Sequence, residues 1–150
     1  MQIRVATQGD IEAMFTIRTS VTENYQSRED IAALGITPTS VAAMLNADCA
    51  AWIADVDGNA VGFAIANASE QTLFGLFVLP SHEGQGIGRA LIQAAEQWLW
   101  DQGSHEIWLV TGHDPQLRAY GFYSHLGWIP VGLQADGPFQ GEMKFIKQRP

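Results

Sequence analysis

Apolar residues recur with two different periods in the first part of the chain, and each period predicts a type of element. Residues 2–6 alternate between polar and apolar side chains, which predicts a short strand. Thr7 and Asp10 have the spacing of a capping box, and the apolar residues that follow recur at helical spacing in a stripe that also takes in Arg18. Residues 37–45, which open with Thr-Pro, predict a second helix.

The middle of the chain predicts three strands. Residues 50–56 and 60–67 flank an Asp-Gly pair, which is the turn chemistry of a tight β-hairpin. Residues 72–79 are apolar almost throughout, as is typical of a strand covered on both faces. Gly75 lies inside this strand and predicts a bulge or a close approach of another backbone.

Helices and strands alternate in the second half. Apolar side chains at steps of three and four predict a helix over residues 86–101, followed by a strand at 106–111. A strand–helix–strand connection of this length makes its two strands parallel neighbours. A further helix and two closing strands follow, over residues 116–126, 128–133 and 142–146. We therefore expect one α/β (α+β) domain over residues 1–150, with a mixed, mostly antiparallel sheet of about seven strands and helices on both faces.

Composition and charge narrow the function classes. The chain has 150 residues, of which 47% are hydrophobic and 16% charged, as expected of one globular domain. The formal net charge of −8 argues against a nucleic-acid partner, because such partners are bound by clustered Lys and Arg. We expect no membrane segment, because no apolar run reaches about 18 residues. A single cysteine and the absence of a signal peptide predict a cytoplasmic protein.

A glycine-rich segment follows the strand at 72–79. Gly84, Gly86 and Gly88 alternate directly into the next helix, so that successive N–H groups and the helix N-terminus can bind an anion. The segment does not fit a P-loop, since Arg89 and Ala90 stand where Lys and Ser or Thr are required. It does not fit the dinucleotide fingerprint either. From this loop alone, two interpretations therefore remain: a phosphate-binding site and a tight turn that binds no ligand.

A second motif spans residues 116–128 and reads Q-x-x-A-x-x-x-Y-x-x-x-G-W. Taken with the loop at 83–88, it resembles the GNAT superfamily of acetyl-CoA-dependent N-acyltransferases. The loop of that family reads roughly Q/R-x-x-G-x-G/A, and its later motif reads N-x-x-A-x-x-x-Y-x-x-x-G-F/W. Glu83 departs from the usual Gln or Arg, and Gln116 departs from the usual Asn.

The resemblance implies a sheet splayed between the strands at 72–79 and 106–111, with acetyl-CoA in the opening. It implies that the main chain pairs with the pantetheine arm and that one N–H, that of Val78, polarises the thioester carbonyl. Tyr123 matches the general acid at the sulfur, and its unperturbed pKa of about 10 keeps it protonated. The coenzyme-binding residues implied by the match are Leu76, Phe77, Val78, Gly84, Gln85, Gly86, Ile87, Gly88, Arg89, Gln116 and Ala119.

The activity implied is acetyl transfer to a primary amine of a small molecule or to a protein amino group. A non-catalytic acyl-CoA-binding module remains as an alternative, since Glu83 and Gln116 depart from the family pattern. The general base is left open between His113, a water chain and a distant carboxylate.

Three residues near the N-terminus are candidates for the acceptor site. Glu23, Asn24 and Tyr25 offer a carboxylate and a phenol to a cationic amine, although they are equally consistent with a solvated face. We expect no metal, since the histidines have no ligand spacing. A homodimer is also left open: Trp100 is expected mostly in the core, but it lies off the apolar stripe of its helix and is the candidate contact.

Overall fold

A mixed α/β fold is seen in the computed structural model, which describes residues 1–22 and 25–150. The strands are β1 (Gln2–Val5), β2 (Cys49–Val56), β3 (Asn59–Asn67), β4 (Thr72–Val78), β5 (Glu106–Thr111), β6 (Ile129–Leu133) and β7 (Met143–Gln148). The α-helices are α1 (Ile11–Arg18), α2 (Arg28–Ala33), α3 (Pro38–Leu45), α4 (Ile87–Asp101) and α5 (Arg118–His125). No helix within these described ranges is long and apolar enough to cross a membrane.

The strands form one seven-stranded sheet in the order β1-β2-β3-β4-β5-β7-β6. Every neighbouring pair is antiparallel except β4 and β5, which are parallel. The predicted fold class is confirmed, and so is the parallel pair joined by a helical crossover. In the described residues the β4–β5 pairing has a single register position, Thr72 with Trp108. The two strands therefore leave an opening toward their C-terminal ends.

Helices cover both faces of the sheet because side chains of successive strand residues point to opposite sides. Trp52 and Ala54 of β2 lie in a core with α4 and α5. Ala51 and Ile53, which alternate with them, lie in a second core with α1, α2 and α3. The opening between β4 and β5 therefore lies between two helical layers.

The long helix α4 lies where its apolar spacing predicts. Its N-cap is Gly86, whose φ of 80° is in the left-handed region. Trp100 is buried in the core, with 6% of its surface exposed. The expectation that Trp100 lies mostly in the core is confirmed, because Ile92 and Glu96 extend the buried face of the helix to include it. Trp100 thus offers no surface to a second copy.

One helix is not predicted by the sequence, and the start of another differs from the sequence expectation. The short helix α2 was not predicted, although Ser27 and Asp30 form a capping box there: the Asp30 N–H donates to Ser27 Oγ at 3.1 Å, and the Ser27 N–H donates to Asp30 Oδ2 at 3.0 Å. Helix α5 begins two residues later than expected. Leu117 is extended, with φ −66° and ψ 140°, and Gln116 lies in the preceding turn.

Candidate active site

A cavity of about 490 Å³ occupies the opening between β4 and β5. Ala119 and Tyr123 of α5 line one end, and Phe15 and Arg18 of α1 line the other. Since α5 and α1 cover opposite faces of the sheet, the cavity passes through the sheet. Two molecules can therefore meet in it from opposite sides.

The edge of β4 presents main-chain groups to this opening. The Leu79 N–H donates to Val61 O of β3 at 2.8 Å, and Leu76 and Val78 face β3 residues in the same antiparallel register. Because hydrogen-bonded pairs alternate in an antiparallel ladder, the N–H and C=O groups of Val78 and Leu76 point away from β3. The amide of Phe77 faces β3, so this residue lines the cavity through its ring.

A β-bulge interrupts β4 next to the opening. The register shifts between the pairs Ile65–Gly75 and Ala66–Leu73, which leaves Phe74 as the extra residue. Extra residues of this kind bend a strand and increase its twist. The bulge predicted from Gly75 is confirmed, and it helps β4 to turn away from β5.

The glycine loop between β4 and α4 has the backbone conformation of an anion cradle. Gly84 and Gly86 have φ values of 74° and 80°, and a Cβ built on either would meet nothing within 4 Å. Gly88 instead packs against a ring of α5, with Phe122 Cζ at 3.4 Å from an ideal Cβ. Successive N–H groups near two left-handed residues and the N-terminus of a long helix favour bound negative charge. The side chain of Ile87 is buried in the core, whereas Gln85 and Arg89 are exposed.

The negative charge of Glu83, which departs from the family motif, is paired with a cation of α5. The Arg118 guanidinium forms an ion pair with the Glu83 carboxylate. By itself, this carboxylate adds a negative charge to a loop whose conformation favours a bound anion. In the structure a cation from the facing helix accompanies it, so the loop carries less net negative charge than Glu83 alone implies.

Tyr123 lies where the sequence motif implies, on α5 and in the wall of the cavity. Its ring packs edge-on against Phe122 and Trp128, with centroid distances of 5.3 and 6.2 Å. Only 7% of the residue is exposed, and burial raises the pKa of its hydroxyl above the ordinary value. A phenol in this environment keeps its proton and can donate it.

A buried network holds the C-terminal end of α5 against the core. Glu96 of α4 accepts the indole N–H of Trp128 at 2.9 Å and the ammonium of Lys147 at 2.9 Å. Lys147 also donates to Leu126 O at 3.0 Å, just after the end of α5. Since Leu126 and Trp128 follow directly after the helix that carries Tyr123, this network fixes the C-terminal end of that helix.

Several residues predicted for the site lie outside the cavity. His113 and Gln116 are exposed and do not line it, and the Gln116 N–H donates to Asp114 Oδ1 at 2.9 Å. Tyr25 does line the cavity, with 57% of its surface exposed. The other two acceptor candidates, Glu23 and Asn24, lie outside the described residues.

Two charged side chains in the cavity wall were missed as site residues. Arg18 lines the α1 end of the cavity, and Glu142, whose charge interacts with that of Arg18, lines the cavity as well. Arg18 continues the apolar stripe of α1, and a cation on a buried helix face is a signal that could have identified it. Glu142 comes just before β7, and no local pattern marks it.

Comparisons with known proteins agree with this geometry. A profile of the acetyltransferase (GNAT) family matches residues 11–128. N-acetyltransferase family 8 member 2 of Rattus norvegicus is 34% identical over 96 residues, which are 59% of this chain and 42% of that protein. Streptothricin acetyltransferase of Streptomyces lavendulae is 34% identical over 97 residues, 60% of this chain and 50% of that protein. The chain thus matches at most half the length of these two relatives.

The fold is shared with solved structures. The PaiA N-acetyltransferase of Thermoplasma acidophilum, solved in complex with coenzyme A, has a TM-score of 0.77 and 18% identity. That match covers 99% of this chain and 100% of the other. An acetyltransferase of the GNAT family from Staphylococcus aureus has a TM-score of 0.78 and 19% identity, with 98% of each chain covered. At this identity the likeness concerns the fold.

Proposed function

We propose that this chain, which belongs to the acetyltransferase (GNAT) family, transfers the acetyl group of acetyl-CoA to a primary amine. The acceptor is a small-molecule amine or a protein amino group. The observation that carries this proposal is the cavity that passes through the sheet between β4 and β5, with Tyr123 in its wall. Such a passage lets coenzyme and acceptor approach each other from opposite faces.

The residues around the opening fit acetyl-CoA. The left-handed conformations of Gly84 and Gly86 leave open space over the amides at the start of α4, where a pyrophosphate would be bound. Arg89 is exposed in the first turn of that helix and adds a positive charge. The main-chain groups of Leu76 and Val78 point away from β3, and Leu76 lines the cavity, so a pantetheine arm would pair with this edge of β4 as an added strand.

The chemistry requires groups that act on a thioester and on an amine. When bound, acetyl-CoA supplies an acetyl group already activated as a thioester. The Val78 N–H donates a hydrogen bond to the thioester oxygen, where negative charge develops. Tyr123 gives its proton to the sulfur as the carbon–sulfur bond breaks and the carbon–nitrogen bond forms. An alkylammonium has a pKa of about 10.4, so the acceptor must first lose one proton to water to become nucleophilic. The second proton, lost from nitrogen as the amide forms, replaces the one that Tyr123 gave to the sulfur.

A non-catalytic acyl-CoA-binding module is the second candidate. The specific observation in its favour is the pair of departures from the family motifs, Glu83 and Gln116. Gln116 is exposed and does not line the cavity, so it does not supply the contact that the family places there. Binding without turnover would be the signature of this function.

The test combines coenzyme binding with turnover. Calorimetry measures acetyl-CoA affinity, and release of free thiol is followed with a broad panel of primary amines. Removing the general acid by Tyr123→Phe should lower kcat by roughly 10²–10⁴-fold and leave acetyl-CoA affinity within about threefold. Tyr120→Phe is the matched control, because Tyr120 is also on α5 and packs edge-on against Phe145 at 4.9 Å without lining the cavity.

Three outcomes are informative. An unchanged kcat in Tyr123→Phe would overturn the role assigned to Tyr123. Acetyl-CoA binding by the native protein without thiol release from any amine would favour the binding module. Absence of acetyl-CoA binding would overturn both candidate functions.

A further inference from the structure

One side chain of the cavity wall is held rigidly and yet has an unused hydrogen-bond donor. The Arg18 Nη2 group donates to Gln26 Oε1 at 2.8 Å, and the guanidinium carbon lies 4.4 Å from the centre of the Phe77 ring. The Nη1 atom is buried and has no hydrogen-bond partner among the described residues. An unsatisfied charged donor is costly in a protein interior, so it calls for an explanation.

The second charged group of this end is Glu142, in the connection between β6 and β7. Its main chain is fixed at both ends: its N–H donates to Phe139 O at 3.1 Å, and its carbonyl accepts the Gln134 N–H at 2.8 Å. Burial raises the pKa of its carboxyl, and the positive charge of Arg18 opposes that shift. Burial likewise lowers the pKa of the Arg18 guanidinium.

These two groups face the same cavity without forming an ion pair with each other. Neither a hydrogen bond nor a salt bridge joins Arg18 to Glu142 in the described part of the chain. Two opposite charges that are partly buried and have no hydrogen bond to each other are expensive unless a ligand lies between them. That ligand must itself carry both signs of charge.

We infer that the acceptor is a free amino acid with an apolar side chain, held with its carboxylate on Arg18 and its amino group toward Glu142. The inference rests on the proposed function and specifies its acceptor. A planar guanidinium is suited to a carboxylate, to which it can donate two hydrogen bonds. A carboxylate near the amino group attracts the ammonium form and can accept its proton before the attack on the thioester.

The rest of this end of the cavity favours an apolar side chain. Its wall includes rings and aliphatic side chains from α1, from the segment around α2 and from the β6–β7 connection: Phe15, Ile31, Leu34, Ile36 and Phe139. The apolar wall would bind the side chain of the ligand, and the two charged groups would set the orientation of the ligand. A simple alkylamine would leave Arg18 unsatisfied, and a dicarboxylate would leave Glu142 facing a like charge.

The inference is tested by binding, independently of turnover. Calorimetry on the protein saturated with coenzyme A measures the affinity for L-leucine, L-methionine and L-phenylalanine. L-leucinamide lacks the negative charge of leucine, and 3-methylbutylamine lacks the whole carboxyl group. A charged hydrogen bond at a buried site corresponds to roughly 10- to 150-fold in affinity, so the best amino acid should bind more tightly than its amide or its decarboxylated amine by that factor.

Variants assign this preference to Arg18. Arg18→Met keeps the unbranched stem but removes the charge, so it should abolish the preference for the carboxylate while leaving coenzyme A affinity unchanged. Arg18→Lys should restore part of the preference, because the charge is kept and the planar fork is lost. The matched control is Arg28→Met: Arg28 lies 5.3 Å from the Phe15 ring and pairs with Glu12, but it does not line the cavity.

Glu142→Gln tests the other end of the ligand. It should weaken binding of L-leucine and strengthen binding of 4-methylpentanoate, which has the carboxylate and the side chain but no amino group. Retained coenzyme A binding shows that each variant is folded.

The outcomes separate this inference from the proposed function. Amino-acid binding that depends on Arg18, without acetylation of any amine, would support the inference and contradict the proposed acetyl transfer. Acetylation with equal or better use of leucinamide or 3-methylbutylamine would support acetyl transfer and overturn the inference. Failure of all three amino acids to bind the coenzyme A complex, or binding unaffected by Arg18→Met, would also overturn it.

Discussion

Gly86 has a left-handed backbone conformation. Substitutions at this position therefore separate the effect of backbone conformation on stability from the effect of ligand contact on acetyl-CoA affinity. A Cβ at this position meets nothing within 4 Å, so any residue that replaces glycine loses stability through its φ of 80° and not through a clash. Holding a residue with a Cβ in the left-handed region costs roughly 1–2 kcal/mol. Gly86→Ala should therefore lower the free energy of unfolding by about this amount, measured by urea denaturation.

Gly86→Asn provides the comparison within the same position. Asparagine enters the left-handed region more readily than alanine, so its loss of stability should be the smaller of the two. Both variants place a Cβ in the open space beside Gly86, next to the loop that is proposed to bind the pyrophosphate. Acetyl-CoA affinity, measured by calorimetry, should therefore fall in both, including the variant with the smaller loss of stability.

Gly121→Ala is the control for the conformational part of this reasoning. Gly121 lies inside α5 with open space around it and without a positive φ, so alanine should stabilise the protein by about 0.5–1 kcal/mol. The reasoning would be refuted by a Gly86→Ala variant that is as stable as the native protein and binds acetyl-CoA with unchanged affinity. Equal stability of the alanine and asparagine variants would contradict the conformational part alone.

Two further predictions concern stability. Glu96→Ala leaves the buried indole N–H of Trp128 without its acceptor. It should therefore lower the free energy of unfolding, measured in urea, by about 1–3 kcal/mol. A loss below about 0.5 kcal/mol would show that the network is not needed for stability. The Arg4 guanidinium beside Asp10 lowers the pKa of that carboxyl to about 2. The resulting stabilisation is complete above the unfolded pKa of about 3.9 and is lost as the pH falls toward 2. The variant Asp10→Asn should therefore lose less stability than the native protein between pH 5 and pH 2. Parallel pH profiles of stability for the two proteins would contradict this.

Much of the fold could be predicted because its signals are local. The hairpin of β2 and β3 follows from an Asp-Gly turn between two apolar strands, and the length of the α4 crossover makes β4 and β5 parallel. Periodicity could not locate α2, because six residues are less than two helical turns. Its capping box at Ser27 and Asp30 was the available signal.

The candidate site was predictable only where it is contained in a short motif. The glycine loop and Tyr123 belong to continuous segments with fixed spacing. The charged end of the cavity combines Arg18 from α1 with Glu142 from the strand connection before β7, which are far apart in the chain. A contact of that kind depends on how the sheet brings distant strands together. No local pattern in the sequence indicates it.

The most direct test of the account is a crystal structure of this protein with acetyl-CoA. The account predicts diphosphate oxygens within hydrogen-bond distance of the amides at residues 84–89, and the thioester oxygen at the Val78 N–H with its sulfur near the Tyr123 hydroxyl. A coenzyme bound at another surface, with the glycine loop and the β4–β5 opening both empty, would contradict it.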